Sequence, residues 1–443
     1  MHILLLGINY WPERTGIGAF NTWRAEYLAS CGHKVTVCTG FPYYPEWKTP
    51  AEYSGKMTMR EERNGVSIRR SWLWIPAPVT PKRRILHEAS FLISSFLCAL
   101  SSRRPDLLFV ASPPLGLGMS AFLLSRIWRI PYVYDVEDLQ PDTAAELGML
   151  PRRVLPALYW LERFAYRHAT LISTLSEGMR QRIVGKGVPS DKVVIFPPRT
   201  SDELFKVGAS KPGASEGGIG FRTEHGLEGK FVVVHSGNMG VKQGLDVMLE
   251  AAAKLREVKD IAFLLVGNGA RQSHLKARAA DLQLDNLKFF PLQDEQQFLS
   301  MLAAMDLALI TQLRTVSDTA FPSKTGTLLS AGCPVVASVN ANSEVAGVME
   351  SSGAGIVTEP EDSRALSDAI YVLEQRNDLL HSKTVDARKY SLDHWFPSTV
   401  LPVMEGLLKS AVENSRRQSQ ISNSRAIAGT PNSEGIVAKS EIE

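Results

Sequence analysis

The stretch HILLLGINYWPERTGIG, residues 2–18, opens with an apolar run that ends in glycine. Such a run predicts a buried parallel strand followed by a loop. A helical pattern follows over Phe20–Ser30, and a second apolar run covers Lys34–Thr39. Strand, glycine loop, helix and strand make a βαβ unit. This unit is the building block of a doubly wound parallel sheet.

The same alternation continues along the chain and divides it into two series. The first series ends near Pro197-Pro198, and the second starts at Phe231–Ser236 after a stretch rich in Gly, Ser and Lys. We therefore predict an α/β protein of two Rossmann-like domains, residues 1–200 and 201–385, that face a central cleft. Residues 386–413 are predicted as helices packing back on the N-terminal domain. Residues 414–443 have few apolar residues and predict a disordered tail.

Charge is distributed unevenly along the 443 residues. The net charge is +3, but residues 1–200 carry 25 Lys and Arg against 16 Asp and Glu, which leaves the remainder negative. A basic half on a near-neutral protein indicates an anionic partner. An anionic inner-membrane surface is favoured over nucleic acid, because no motif of a nucleic-acid-binding fold is present. A solvated basic face is the alternative.

Cysteine spacing and hydropathy indicate the cellular compartment in which the protein works. The four cysteines show no CxxC spacing, which predicts small buried residues in a reducing compartment, and no His or Cys spacing indicates a metal site. The first apolar run lacks a cleavage site. The longest uncharged stretch, Leu107–Ser125, is interrupted by Pro113-Pro114. We expect a cytoplasmic protein that lies peripherally on the inner membrane.

Two loops of the first half carry residue types that suit ligands. Gly16 and Gly18 let the backbone approach a ligand at the start of a helix, although a plain turn would use the same residues. The string FPYYPEW, residues 41–47, follows the second strand. Its aromatic faces suit sugar rings or a lipid path, and ordinary loop packing is the alternative.

Acidic residues gather at the end of a later strand, in DVEDLQPD, residues 135–142. Unpaired buried carboxylates are costly, so we expect Asp135, Glu137 and Asp138 to face the cleft. There they are candidates for orienting or deprotonating an acceptor hydroxyl. Capping of a helix by Asp138 or Asp142 is the alternative.

Three loops of the second half predict a nucleotide and phosphate site. They follow two strands and precede a helix, where backbone amides and lysines can hold a diphosphate. The residues they contribute are Gly237, Asn238, Lys242, Gly267, Asn268, Phe321, Ser323, Lys324 and Thr325.

These motifs, in this order over residues 1 to about 410, resemble the family-4 glycosyltransferases of the GT-B type. GINYWPERTGIG, GFPYYPEW and FPSK are similar to strings of the colanic-acid-type exopolysaccharide transferases, a group assigned as fucosyltransferases. The resemblance implies a GDP- or UDP-linked sugar held as a substrate by the C-terminal domain, with no further cofactor and no metal. It also implies an acceptor, typically a lipid-linked oligosaccharide, on the N-terminal domain. Glu344 matches a glutamate common in the family after the PVV strand.

The chain departs from the family pattern at the donor site. Members usually carry two glutamates eight positions apart, and these places align with Thr319 and Thr327. The second glutamate normally binds the donor ribose. The usual arginine and lysine of the diphosphate site align with Asn238 and Gln243, and the adjacent Lys242 is the available substitute.

A mechanism follows from the cations that remain. Lys324, Lys242 and Ser323 would stabilise the departing diphosphate as its charge grows.

Two alternative functions stay open. One is a GT-B epimerase acting on a nucleotide sugar, which needs no acceptor. The other is an inactive transferase homologue that serves as a scaffold, which the lost glutamate pair favours.

Overall fold

The computed structural model describes residues 1–13, 16–146, 148, 150–197, 202–207, 215–316 and 324–428. Within these residues the chain forms two β-sheets covered by helices. The strands are β1 (His2–Leu6), β2 (Lys34–Gly40), β3 (Thr58–Arg63), β4 (Val66–Ser71), β5 (Leu107–Ser112), β6 (Tyr132–Val136), β7 (Leu171–Thr174), β8 (Val193–Ile195), β9 (Phe231–Ser236), β10 (Ile261–Val266), β11 (Leu287–Phe290), β12 (Leu307–Thr311), β13 (Val335–Ser338) and β14 (Gly355–Thr358).

The helices cover both faces of each sheet and connect the strands. They are α1 (Gly16–Ser30), α2 (Pro81–Leu100), α3 (Leu117–Trp128), α4 (Gln140–Glu146), α5 (Leu155–His168), α6 (Glu177–Gly185), α7 (Asp202–Val207), α8 (Glu216–Glu224), α9 (Asp246–Lys254), α10 (Gln272–Asp281), α11 (Glu295–Ala304), α12 (Lys324–Ser330), α13 (Glu344–Ser352), α14 (Ser363–Gln375), α15 (Asn377–His394) and α16 (Pro397–Ala428).

The first sheet has the order β3-β4-β2-β1-β5-β6-β7-β8 and is parallel except for the β3–β4 pair. Its centre is β1, in which Ile3–Leu6 are almost fully buried because both faces are covered. The hairpin β3–β4 was missed from the sequence. Every second residue of β3 is exposed and charged residues predominate, so this edge strand lacks the apolar pattern of the strands inside the sheet.

The second sheet is parallel throughout, with the order β11-β10-β9-β12-β13-β14. Its sequence of neighbours is the doubly wound order, in which the direction of winding reverses between β9 and β12. The first sheet reverses in the same way between β1 and β5. The prediction of an α/β protein with two Rossmann-like domains is therefore confirmed.

The last two helices pack on different domains. Helix α15 lies against α12 and α14 of the second domain. Helix α16 packs Leu401, Met404 and Leu408 into the core beneath the first sheet, and Glu405 accepts a hydrogen bond from His33 at 2.8 Å. The predicted segment 386–413 thus divides near Phe396 into a part on each domain.

Helix α16 also corrects the predicted tail. It continues to Ala428, so the prediction of disorder from Asn414 is wrong for residues 414–428. Val412 is buried and Arg416 donates to Asp106 at 2.6 Å, which anchors the helix. Once a helix is nucleated, each further turn forms easily even where its residues are polar. Residues 429–443 lie outside the described residues.

Candidate active site

The motif loops of each domain meet at one edge of its sheet. Because parallel strands carry their loops at matching ends, residues 7–13, 41–47 and 137–138 lie together at the edge of the first sheet. Residues 237–240, 267–269 and the start of α12 lie together at the edge of the second. These edges are where open α/β sheets bind ligands.

The two glycine loops of the second domain interlock. Gly237 and Gly267 have φ of +139° and +130°, and a Cβ on Gly267 would lie 2.1 Å from the Gly237 carbonyl oxygen. The Met239 amide donates to the Asn268 carbonyl at 2.7 Å. Both Asn238 and Asn268 are exposed. Glycine at these positions therefore serves close packing of the two loops, which leaves the asparagine side chains at the surface of the site.

Lys324 is a buried cation that has no counter-charge among the described residues. Its Nζ is buried and has no hydrogen-bond partner in that part of the chain, and it lies 3.8 Å from the position a Cβ on Gly237 would take. Burial lowers the pKa of Lys324 to about 8. Within the same described residues, the adjacent Thr325 Oγ1 is also buried without a partner. An unpaired buried ammonium is costly to folding, and an anionic ligand would compensate it.

His235 adds to this environment and was not among the predicted site residues. It is fully buried at the end of β9. Burial and the neighbouring Lys324 lower the pKa of His235 well below its usual range. The imidazole is therefore neutral and adds no second positive charge beside the lysine. Two further residues predicted at the phosphate site, Phe321 and Ser323, lie outside the described residues. Thr319 lies outside them as well.

Two residues of the second domain reach toward the first. Glu344, the first residue of α13, accepts a hydrogen bond from the Gly178 amide of α6 at 3.2 Å. The positive charge of Lys242 lies close enough to Asp138 to lower the pKa of that carboxyl, although burial has the larger and opposite effect. Lys242 of the second domain therefore lies near enough to Asp138 of the first for their charges to interact.

The acidic string of the first domain divides into an interior pair and a cleft residue. Asp135 is fully buried, and it accepts from Arg24 at 2.6 Å and from Ser173 at 2.6 Å. Arg24 also donates to Glu137 at 2.8 Å. The expectation that Asp135 faces the cleft is wrong, because the long side chain of Arg24 reaches it from α1 and satisfies the carboxylate inside the domain.

Glu137 and Asp138 differ from Asp135 in their surroundings. Burial raises the pKa of Glu137 well above its usual range, more than Arg24 lowers it. Asp138 is half-buried and accepts a hydrogen bond from the Thr143 hydroxyl at 2.9 Å, which ties it to the first turn of α4. Because this bond joins two side chains, it is not a cap of the helix backbone.

A buried carboxylate, Glu13, joins the two N-terminal motif loops and was not predicted. One oxygen accepts from the amides of Tyr43 and Tyr44 at 2.8 Å each, and the other accepts from Asn9 Nδ2 at 2.8 Å. Gly18 packs against Glu13, with the position of its Cβ 3.1 Å from the Glu13 carbonyl, whereas Gly16 is exposed with φ +59°. The sequence carried no signal for this role, because the partners of Glu13 include backbone amides of another loop.

Replacing Glu13 by alanine should destabilise the protein by about 2–4 kcal/mol, because two buried donors and one partly buried donor lose a charged acceptor. Urea unfolding followed by circular dichroism measures this change. Glu46→Ala is the matched control, since Glu46 lies on the second of the two joined loops but is exposed. A Glu13→Ala midpoint equal to that of Glu46→Ala would contradict the role of Glu13 in joining the loops.

Three aromatic rings of the first domain form a cluster next to the loops that Glu13 joins. The rings of Tyr43 and His87 are 4.6 Å apart, and Trp47 lies 5.3 Å from both. His87 hydrogen-bonds the Trp74 carbonyl through Nδ1 at 2.6 Å, so Nδ1 carries the proton.

In the described part of the chain, no group of three or more His, Cys, Asp or Glu side chains could hold a metal ion.

Comparison with known proteins identifies the family. Residues 15–199 match the Glycosyl transferase 4-like domain, and residues 221–390 match Glycosyl transferases group 1. The chain is 32% identical over 374 residues to the colanic acid biosynthesis glycosyl transferase WcaI of Escherichia coli (strain K12), which covers 83% of this chain and 90% of that protein. The chain belongs to the family-4 glycosyltransferases of the GT-B type.

Solved structures agree with this family on the fold. HepE of Anabaena, crystallised with UDP and glucose, has a TM-score of 0.69 at 17% identity and covers 92% of this chain and 99% of that one. WaaG, a glycosyltransferase involved in lipopolysaccharide biosynthesis, has a TM-score of 0.62 at 17% identity, with coverages of 92% and 99%. Identities this low show the fold alone. The predicted GT-B fold and family membership are confirmed.

Proposed function

We propose that this glycosyltransferase moves a sugar from a GDP- or UDP-linked donor to a lipid-linked saccharide during assembly of a colanic-acid-like exopolysaccharide. The observation that carries the donor part is the buried Nζ of Lys324 beside Gly237, which has no partner among the residues the structure describes. A diphosphate supplies two anionic groups that can accept from this ammonium and from the exposed side-chain amides of Asn238 and Asn268. The UDP bound to HepE supports a nucleotide in the corresponding fold.

The proposed chemistry divides between the domains. Lys324 and Lys242 oppose the charge that grows on the departing diphosphate, and they do so most strongly where water is excluded. Asp138 orients or deprotonates the acceptor hydroxyl from the opposite side of the cleft. Asp135 and Glu137 act through Arg24, which fixes the end of β6 and therefore the place of Asp138. The transferred group is a hexose, with fucose favoured by the sequence resemblance.

The acceptor side is proposed to meet an anionic inner-membrane surface from the cytoplasm. The excess of basic residues in residues 1–200 supports this placement. The name of the relative WcaI, which refers to colanic acid biosynthesis, supports the polysaccharide class. Among the described residues no helix is long and apolar enough to cross a membrane.

Nucleotide release from a panel of UDP-, GDP- and dTDP-sugars, with and without a membrane lipid extract, tests the proposal. Release from one donor that depends on the extract is the expected result. Conversion of the donor sugar without any acceptor would identify an epimerase instead. A folded protein that neither binds nor turns over any donor would be the scaffold.

A further inference from the structure

Helix α2 is apolar on its solvent side as well as on its core side. His87, Phe91 and Ser95 face the interior of the first domain and are buried. On the opposite side, Leu86, Ile93 and Leu97 are 61%, 67% and 61% exposed, at a spacing that places them in one stripe. A helix that serves only to cover a sheet would carry polar residues there. The stripe therefore lacks a partner within the described chain.

The stripe continues onto the neighbouring helices of the same layer. Helix α3 adjoins α2, since a Cβ on Gly116 would contact Leu92, and it exposes Ile127 to 57%. Phe122 of α3 packs edge-on against Phe164 of α5 at 4.9 Å, and Phe164 stacks on Trp160, which is 60% exposed. Helices α2, α3 and α5 thus present one broad apolar layer, which we name the outer face.

The charges around the outer face are almost all of one sign. Residues 81–104, 117–129 and 150–169 carry eleven Lys and Arg, all of them exposed. The acidic residues in these segments are Glu88 and Glu162, each paired internally with Arg84 and Lys186 respectively. Exposed apolar side chains and exposed cations on the same segments match the interface of an anionic bilayer, where the apolar side chains insert and the cations meet headgroups.

The outer face also adjoins the cleft. His87 of α2 contacts Tyr43 on its inner side, and the charge of Arg84 acts on both Tyr43 and Asp138. One helix therefore has residues on the acceptor side of the cleft and on the apolar layer. A saccharide carried by a membrane lipid would reach Asp138 along the start of this helix.

We propose that the outer face of α2, α3 and α5 is the surface on which the enzyme docks to an anionic membrane, with the cleft opening beside the start of α2 turned to the bilayer. This inference rests on the proposed lipid-linked acceptor and identifies the surface that meets it. The occupant is the anionic leaflet. A contact between two copies of this face is disfavoured, because the cations of one copy would repel those of the other.

Co-sedimentation with phosphatidylglycerol vesicles and with phosphatidylcholine vesicles tests the docking surface. Binding to the first and not the second is expected. Ile93→Ser with Leu97→Ser should weaken it at least tenfold, as two inserted side chains are lost. Arg152→Gln with Arg153→Gln should weaken it roughly fivefold per charge. Ile219→Ser with Leu292→Ser, which alters equally exposed residues of the second domain, should leave binding unchanged.

Donor binding measured without vesicles separates this proposal from the proposed function. All six substitutions should leave nucleotide affinity as in the wild type. Wild-type protein that binds donor but neither vesicle would overturn the docking surface and leave the donor site standing. Vesicle binding unaffected by the outer-face variants would also overturn it. So would a wild-type dimer that becomes monomeric in the Ile93 and Leu97 variant, since the face would then join two copies.

Discussion

Lys324→Met is expected to abolish nucleotide release and at the same time to raise the melting temperature of the unliganded protein. Turnover should fall by at least about 10²–10³-fold, because a cation that stabilises the leaving diphosphate is removed. Stability should rise, because an apolar chain of similar length replaces a buried ammonium that has no partner in the described part of the chain. Parallel assays of nucleotide release and thermal unfolding measure the two opposite effects.

The control for this change is Lys254→Met, which alters an exposed lysine of the same domain and should affect neither assay. A second control uses pH. The pKa of Lys324 in the folded protein, about 8, lies below the ordinary lysine value. At pH values between these two, the unfolded chain binds more protons than the folded protein, so the stability of the unliganded protein rises with pH. Donor affinity should fall above about pH 8, since binding then requires uptake of a proton. Full turnover by Lys324→Met would contradict the assignment.

Arg24→Met is expected to destabilise the protein by about 3–5 kcal/mol, because it leaves Asp135 and Glu137 buried without their cation. Turnover should also fall in the fraction that remains folded, since the end of β6 is no longer held beside Asp138. Urea unfolding at pH 7 measures the first effect, and nucleotide release corrected for the folded fraction measures the second.

Acid should partly restore the Arg24→Met protein. The pKa of Glu137 is already raised in the wild type, and loss of Arg24 raises it further. A raised folded pKa makes the ionised state costly, so stability returns as pH falls through that pKa. Adding Glu137→Gln should restore part of the loss at pH 7. Arg376→Met, at an exposed ion pair, should change nothing measurable. A single variant as stable as wild type would show that the cluster is dispensable.

Much of the fold could be predicted because its strands are buried on both faces. The apolar runs at β1, β5 and β9 are nearly continuous, and glycine follows β1 and β9 while prolines follow β5, so the alternation of strands and helices is visible in the residues themselves. The outer edge was missed for the opposite reason. Strand β3 is half in water and pairs through its backbone, which leaves no apolar signal.

The candidate site was predictable where function depends on residue type and less so where it depends on tertiary contacts. Lys324 and the glycines stand out in the sequence. The burial of Asp135 does not, because its partner Arg24 lies 111 residues earlier in the chain. Glu13 was missed similarly, since its ligands are backbone amides of another loop and leave no mark in side-chain pattern. The position of His87 beside Tyr43 was also missed, because nothing in the sequence of α2 shows which of its residues face the interior.

The outward leucines and isoleucines of α2 also govern how the purified protein behaves in a test tube. With no lipid present these side chains remain in contact with water, and contiguous exposed apolar surface promotes self-association as concentration rises. The surrounding arginines repel one another across such contacts, and added salt weakens that repulsion. Preparations should therefore stay dispersed at low salt or with mild detergent and aggregate in concentrated high-salt stocks. Ile93→Ser with Leu97→Ser would be the practical choice for crystallisation.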